Sequence, residues 1–261
     1  CITEVLGMSL PGSAAIPAVH ADRLRLAEAC GERAMEMAVS GAPLPHEIIT
    51  SKSVENALRV LLAISGSTNA VVHLAAIAGR RGIDLPLEHI NRISDETPVL
   101  VNLKPTGEHY MQDLFGAGGL TAVLHELKHQ LHLDCLTVTG ETLGQWLSET
   151  PKWVDRKVVR AFDDPYQKEG GLIALFGTLA PTGAILKRAA ADSNLFERTG
   201  RAVVFDSLED LSKRIDSEDL DVSEDDFLVL KNAGPKSETC MPEAGYLPIP
   251  KKLAARGVKD M

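Results

Sequence analysis

Residues 51–82, SKSVENALRVLLAISGSTNAVVHLAAIAGRRG, decide how this chain folds. Ser51 or Ser53 can cap a helix, and Ala57, Leu58, Val60, Leu61 and Leu62 give it an apolar run that ends near Ile64. Ser65-Gly66 interrupts the run. A second helix is expected from about Asn69 to Arg80, with Gly82 placed as its C-terminal stop. Two apolar helices separated by so short a break read as the centre of a helical core. Upstream, His20 to Val39 carries Leu24, Leu26, Ala27, Cys30, Ala34 and Met35 near one helical stripe, and Gly41-Ala-Pro-Leu-Pro45 breaks it. Downstream, a short amphipathic helix is expected over Leu87 to Ser94 and a buried strand over Pro98 to Leu103. Helices at about 110–115 and 120–131, a strand at 135–138 and a helix at 141–147 complete this half.

The period changes from about Lys168. Residues 171–176, 184–187, 201–205 and 227–230 read as short strands between Gly, Pro and Asp turns. One helix, Leu208 to Ile215, is opened by Ser207 with Glu209 and Asp210 in its first turn, and the acidic stretch Asp216 to Asp226 reads as a solvated loop. The expected fold class is α/β, with a helix-rich α/β part over 1–165 and a β-rich part over 166–261.

Composition narrows the function classes. With 44% apolar and 24% charged residues over 261 positions, the chain can bury a sizeable core. A net charge of -9 argues against nucleic acid, because a phosphate-binding surface needs a basic excess. No apolar run approaches the roughly 20 residues of a bilayer span, and the start lacks a signal-peptide layout. No membrane association is expected, and the expected location is cytoplasmic. Cys1, Cys30, Cys135 and Cys240 lie far apart with no CxxC pair, which suggests reduced thiols. Both ends read as cut: Cys1 opens inside an apolar segment without an initiator Met, and the chain stops at Gly257-Val-Lys-Asp-Met261.

Four local patterns bear on chemistry. His125-Glu-Leu-Lys-His129 matches HExxH, which on a helix places two zinc-ligating His one turn apart with Glu126 as general base, and Glu149 follows as a third ligand. The competing reading is an ordinary core helix carried by Leu120, Val123, Leu124, Leu127 and Leu131. Phe115-Gly-Ala-Gly-Gly119 follows a helix rather than a strand and reads as a tight helix-helix turn, not a dinucleotide loop. Ser65-Gly-Ser-Thr-Asn69 places small hydroxyl residues at a helix start, where free N-H groups suit a carboxylate or phosphate; plain N-capping by Ser67 or Thr68 explains them equally well. Gly234-Pro-Lys-Ser-Glu-Thr-Cys-Met-Pro-Glu243 follows a strand, so Glu243 could ligate a hard cation or be a surface acid on a turn.

Taken together, several segments resemble the dihydroxy-acid dehydratase/6-phosphogluconate dehydratase family, which includes sugar-acid dehydratases. The carriers are Glu4-Val-Leu-Gly-Met-Ser-Leu-Pro-Gly12, Ser65-Gly-Ser-Thr-Asn-Ala70 with His73-Leu74, and Pro98 to Leu103. Met111-Gln-Asp-Leu114 with Gly118-Gly119, Asp134 to Gly140, Leu179-Ala-Pro-Thr-Gly-Ala184 and Met241-Pro-Glu243 continue it in order to the end. The resemblance implies an internal fragment, spanning the C-terminal part of an N-terminal α/β domain and the first part of a C-terminal β-barrel-like (swivel) domain. It implies a hydro-lyase that converts a 2,3-dihydroxy carboxylic acid to a 2-keto acid with an iron-sulfur cluster, [2Fe-2S] or [4Fe-4S], and Mg²⁺. The implied cluster ligands lie upstream of this chain, and the implied base serine lies beyond Met261, so no catalytic residue is assigned here and the isolated chain is expected to be inactive. Cys1 matches a variable position just after the third cluster ligand and is not assigned. Glu243 matches the Mg²⁺-ligating Glu, and Ser67, Thr68 and Asn69 match a loop lining the substrate site. The implied partners are a small hydroxy-acid substrate and further copies of the full-length chain. Ser65 stands where the family usually has Gly, and Ser237, Thr239 and Cys240 replace Gly, Pro and Gly before Met241. HExxH is foreign to the family. The alternatives are a zinc metalloprotease built on His125, Glu126 and His129, or a non-catalytic module; the choice between a branched dihydroxy acid and an aldonic acid is not legible.

Overall fold

In the computed structural model, residues 1–234, 236–237 and 246–261 are described. The chain divides into two compact units, Cys1–Ala190 and Ala191–Met261.

The first unit is built on α4 (Ser51–Ala63), whose 13 residues include ten buried ones. A helix buried almost all round must sit inside a core rather than on its surface, and α4 packs against α1 (Ile2–Val5), α5 (Thr68–Arg80), α6 (Leu87–Glu96) and α8 (Gly119–Leu127). Its cap is Thr50, whose side chain accepts from Ser53 N while Ser53 Oγ accepts from Thr50 N at 2.9 Å. Three of its buried residues are polar, and each reaches across the core to a neighbouring segment or to the chain entering the helix. Ser53 Oγ donates to Ile48 O at 2.9 Å. Asn56, fully buried, donates from Nδ2 to His132 O at 2.9 Å and accepts His132 N at Oδ1 at 2.8 Å. Arg59 grips Glu55 at 3.1 Å and Glu96 at 2.9 Å. These bonds fix α4 to α3 (Pro45–Ile48), α6 and the segment after α8.

The expected helix at 20–39 is α2 (Ala21–Ser40), capped by His20 and ended by Gly41 at φ 72°. None of its residues is buried. It is tethered by Arg23, which donates to Ile16 O, and by Arg33, whose Nε donates to Val138 O at 2.6 Å. Leu24, Met35 and Val39 point outward. α7 (Met111–Gly116) and α8 meet at Gly118, φ 104°, a tight helix-helix turn as expected. α9 (Leu143–Glu149) is opened by a Thr142–Gln145 capping box.

Two expected strands are absent as ladders. Residues 98–103 are buried and extended, but they make only isolated bridges, Val99 to Gln167, Val101 to Val159 and Leu103 to His109. The reason is local: Leu100 N donates to Ala63 O at the end of α4, at 2.8 Å, so no neighbouring strand receives it. Residues 135–138 close a tight loop instead, with Thr137 N on Glu141 O at 2.9 Å and Gly140 at φ 87° turning the chain. The expected helix to Leu131 stops at Leu127 and tightens to a 3₁₀ turn over Lys128–Gln130.

β1 (Ile173–Leu175) and β2 (Ala184–Leu186) form an antiparallel pair. In the second unit β3 (Ala202–Phe205) and β4 (Phe227–Leu230) pair in parallel with α10 (Leu208–Arg214) between them, a βαβ unit. Its own core is Val203, Phe205, Leu211, Ile215 and Leu220. The acidic stretch 216–226 is not wholly solvated: Leu220 and Asp226 are buried, and Asp226 pairs with Arg201 at 2.9 Å. α11 (Lys251–Ala254) follows. The chain is therefore mixed α/β; among the described residues the sheets are two-stranded and no barrel is formed. No helix among them is long and apolar enough to cross a membrane.

Candidate active site

The junction of α4 and α5 is the most constrained polar feature among the expected site residues. Gly66 N donates to Leu61 O at 2.9 Å and Ser65 N to Leu62 O at 3.2 Å, the paired bonds of a helix end whose penultimate residue is left-handed. That residue is Ser65, at φ 48°. Glycine normally fills such a position because it has no Cβ to clash. The constraint is doubled by Gly171: a Cβ there would lie 2.7 Å from Ser65 Oγ and 2.8 Å from Ser65 Cα. Leu62 O also accepts Gly171 N at 3.2 Å, so the turn is seated directly on the chain that leads into β1.

From this turn the chain starts α5. Ser67 is its N-cap and accepts Asn69 N at 3.1 Å. Ser67 is exposed, and Thr68 and Asn69 are half-buried. Asn69 Oδ1 is buried without a hydrogen-bond partner, and so is Ser65 Oγ. Val71, Leu74 and Ala78 form the buried stripe of α5, whereas Val72 is half-buried and Ala76 exposed. The Asn69–His73 side of the helix therefore stands beside the packed stripe, and His73 itself is exposed. The positive end of a helix and an unsatisfied carboxamide oxygen can take a ligand carrying both acceptor oxygens and hydroxyl donors.

Glu243 lies outside the described residues. Ahead of it, Ser237 N donates to Gly234 O at 2.9 Å, forming a turn after β4.

The HExxH pentad is not a metal site. Glu126 accepts Arg156 at 2.9 Å and Phe162 N at 3.2 Å, so its carboxylate is already used. His129 sits in the 3₁₀ turn with its ring edge-on to Phe162 at 4.2 Å. His125 shares Nε2 with Thr150 Oγ1 at 3.3 Å, and burial pushes its pKa down. Among the described residues no three His, Cys, Asp or Glu side chains are grouped to hold a metal. Cys1, Cys30 and Cys135 are free, and burial pushes the Cys135 thiol up to about 11.

The sequence reading missed Glu4, although it lies in one of the quoted segments. It is buried and accepts Gly12 N at 2.7 Å, Ser13 Oγ at 3.0 Å and Ala14 N at 2.6 Å. Burial pushes its pKa up, and these three bonds oppose the shift. An acid on the first short helix followed by Pro11-Gly12-Ser13 was the available signal: a carboxylate that ties its own downstream loop.

Residues 1–146 match the sequence model of the dihydroxy-acid/6-phosphogluconate dehydratase N-terminal region, and residues 157–261 match that of the C-terminal region. L-arabonate dehydratase of Azospirillum brasilense is 46% identical over 264 residues, covering 100% of this chain and 45% of that protein. 6-Deoxy-6-sulfo-D-gluconate dehydratase of Pseudomonas putida is 40% identical over 263 residues, with 100% and 45% covered. Dihydroxy-acid dehydratase of Caldanaerobacter subterraneus is 43% identical over 245 residues, with 93% and 43% covered. The chain thus spans somewhat under half the length of these curated relatives.

Proposed function

Because this chain belongs to the dihydroxy-acid/6-phosphogluconate dehydratase family, we propose that it is part of a hydro-lyase acting on a 2,3-dihydroxy carboxylic acid. The match of both family regions, in order along the chain, is the observation that carries this reading. The net reaction removes the C2 proton and the C3 hydroxide, and the resulting enol becomes a 2-keto acid. Relatives named for dihydroxy acids and for sugar acids are similarly close, so the substrate class proposed is the shared one, a carboxylate with hydroxyls on C2 and C3.

In this reading residues 1–165 belong to the α/β domain and 166–261 begin the barrel-like domain of a longer, cytoplasmic, homo-oligomeric protein. The described residues do not by themselves fit an iron-sulfur cluster or a Mg²⁺ site, because no three ligating side chains converge. The reading therefore assigns the cluster ligands and base serine to other parts of the longer protein, and Mg²⁺ ligation in part to Glu243. Ser67, Thr68 and Asn69 bind substrate: the positive end of α5 faces its carboxylate, and Asn69 Oδ1, which lacks a partner, accepts a hydroxyl.

The test compares this chain with the longer protein, following 2-keto acid formation from a branched dihydroxy acid and from an aldonic acid. The longer protein is expected to turn over one of them and this chain neither. Turnover by this chain, or none by the cofactor-loaded longer protein, would overturn the proposal. Asn69→Ala in the longer protein should lower kcat/KM by about tenfold or more, as loss of one bond to a buried polar group does.

A further inference from the structure

Residues 102–109 and 155–166 enclose an open pocket of about 1080 Å³ on the first unit. That is just above the range usual for small-molecule sites, about 300–1,000 Å³, as befits a pocket open to solvent. Its floor is held by backbone bonds: Asn102 N to Val158 O at 3.0 Å, Arg160 N to Leu100 O at 2.8 Å and Tyr166 N to Val99 O at 2.9 Å.

One wall carries three cations in five positions, Arg156, Lys157 and Arg160, in a chain whose net charge is -9. Arg156 is engaged by Glu126. Lys157 makes no ion pair among the described residues and is exposed. Arg160 lies 5.0 Å over the Tyr166 ring and pairs at 2.9 Å with Asp164, whose side chain is 74% exposed. A pair that open to water contributes little and yields readily to a competing anion. Arg160 Nε is buried with no hydrogen-bond partner, so its guanidinium is not fully satisfied within the chain. Two acids share the lining, Glu108 and Asp155, and the backbone bond from Lys157 N to Asp155 Oδ1 at 2.9 Å orients that carboxylate without cancelling its charge, so the cations outnumber the lining acids by one. Asn102, which also lines the pocket, accepts Glu108 N at its Oδ1 at 3.0 Å.

We propose that this pocket binds a phosphate monoester. Lys157 and Arg160 take the phosphate, which carries nearly two negative charges at neutral pH and suits a guanidinium beside an ammonium better than a singly charged carboxylate does. Asn102 donates to an oxygen of the esterified part. The site shares no residue with Ser67, Thr68 or Asn69, so its failure leaves the dehydratase reading untouched.

The test is calorimetric titration of this chain with glycerol 3-phosphate at low salt, with glycerol and acetate as controls, and amide chemical shifts as a map. Saturable one-to-one binding is expected, with shifts at Asn102 and at 157–160. Lys157→Glu should weaken it by at least about tenfold without changing the melting temperature, since Lys157 is exposed, and Arg160→Lys should weaken it while keeping the charge. No saturable binding, equally tight binding of acetate, or unchanged affinity in Lys157→Glu would overturn the proposal.

Discussion

Ser65 holds a left-handed backbone and a buried hydroxyl without a partner, two costs at one residue. Ser65→Gly removes both and is expected to stabilise the chain by about 1 kcal/mol, read as a shift in the denaturant midpoint at unchanged slope. Gly171→Ala acts on the same contact in the opposite sense. Its methyl would meet Ser65 inside van der Waals distance, so a loss of about 2 kcal/mol is expected in the same measurement. Asp226 supplies a pH-dependent case. The Arg201 guanidinium, aided by Ser223 N, holds its carboxyl down from 3.8 to about 2. A pKa depressed in the fold contributes stability that is complete above the ordinary aspartate value and is lost as pH falls from about 4 toward 2. In Asp226→Asn that part of the acid-side slope should vanish from acid unfolding curves; a wild-type slope in the variant would show that other carboxylates carry it. At this scale the sequence was only partly legible. The helix start at Ser67 and Thr68 was legible from small hydroxyl residues after a break in the apolar run, whereas Glu4 was missed because its loop partners are up to ten residues away.

At the scale of elements, helices were read more faithfully than strands. α4 and α5 lie close to their expected bounds because apolar spacing is a local signal, although α4 is capped by Thr50 rather than by Ser51 or Ser53. The stretches at 98–103 and 135–138 look like strands by composition, yet their N-H groups are taken by α4, by loops and by Gly7 O, partners that spacing along the chain does not reveal. β1 shows the same dependence on a distant group. Asn91 of α6 donates to Ala174 O at 2.8 Å and accepts Ala174 N at 2.7 Å, pairing with the strand as a neighbouring strand would. Asn91→Ala leaves both groups of a buried residue unmet. A loss of about 2–3 kcal/mol is expected, together with faster hydrogen exchange at Ala174 N. Normal protection in the variant would show that the β1–β2 pairing holds the strand unaided.

Over the molecule as a whole, the two units differ in what they bury. The first has a continuous core running from Val5 to Leu172, whereas among the described residues the second has a cluster of five buried apolar side chains around one βαβ unit. Small cores are marginal, so amides of β3 and β4 should exchange faster than those of α4; slower exchange in the second unit would contradict this ranking. The mixed α/β class was legible from the change of period near residue 168, since periodicity needs no knowledge of the rest of the protein. A barrel closes only through pairings between segments distant in sequence, which local pattern cannot supply.

Asn56 offers its amide not only to His132 but also to Cys135 Sγ, at 3.5 Å, and the thiol there is pushed up to about 11. At neutral pH such a sulfur is almost entirely unionised and shielded by α4. Cys135 is therefore a native stopwatch. Under a pulse of alkylating reagent its modification counts the moments when the 132–135 segment lifts from α4, while Cys30, exposed on α2, registers the reagent's unhindered rate in the same sample.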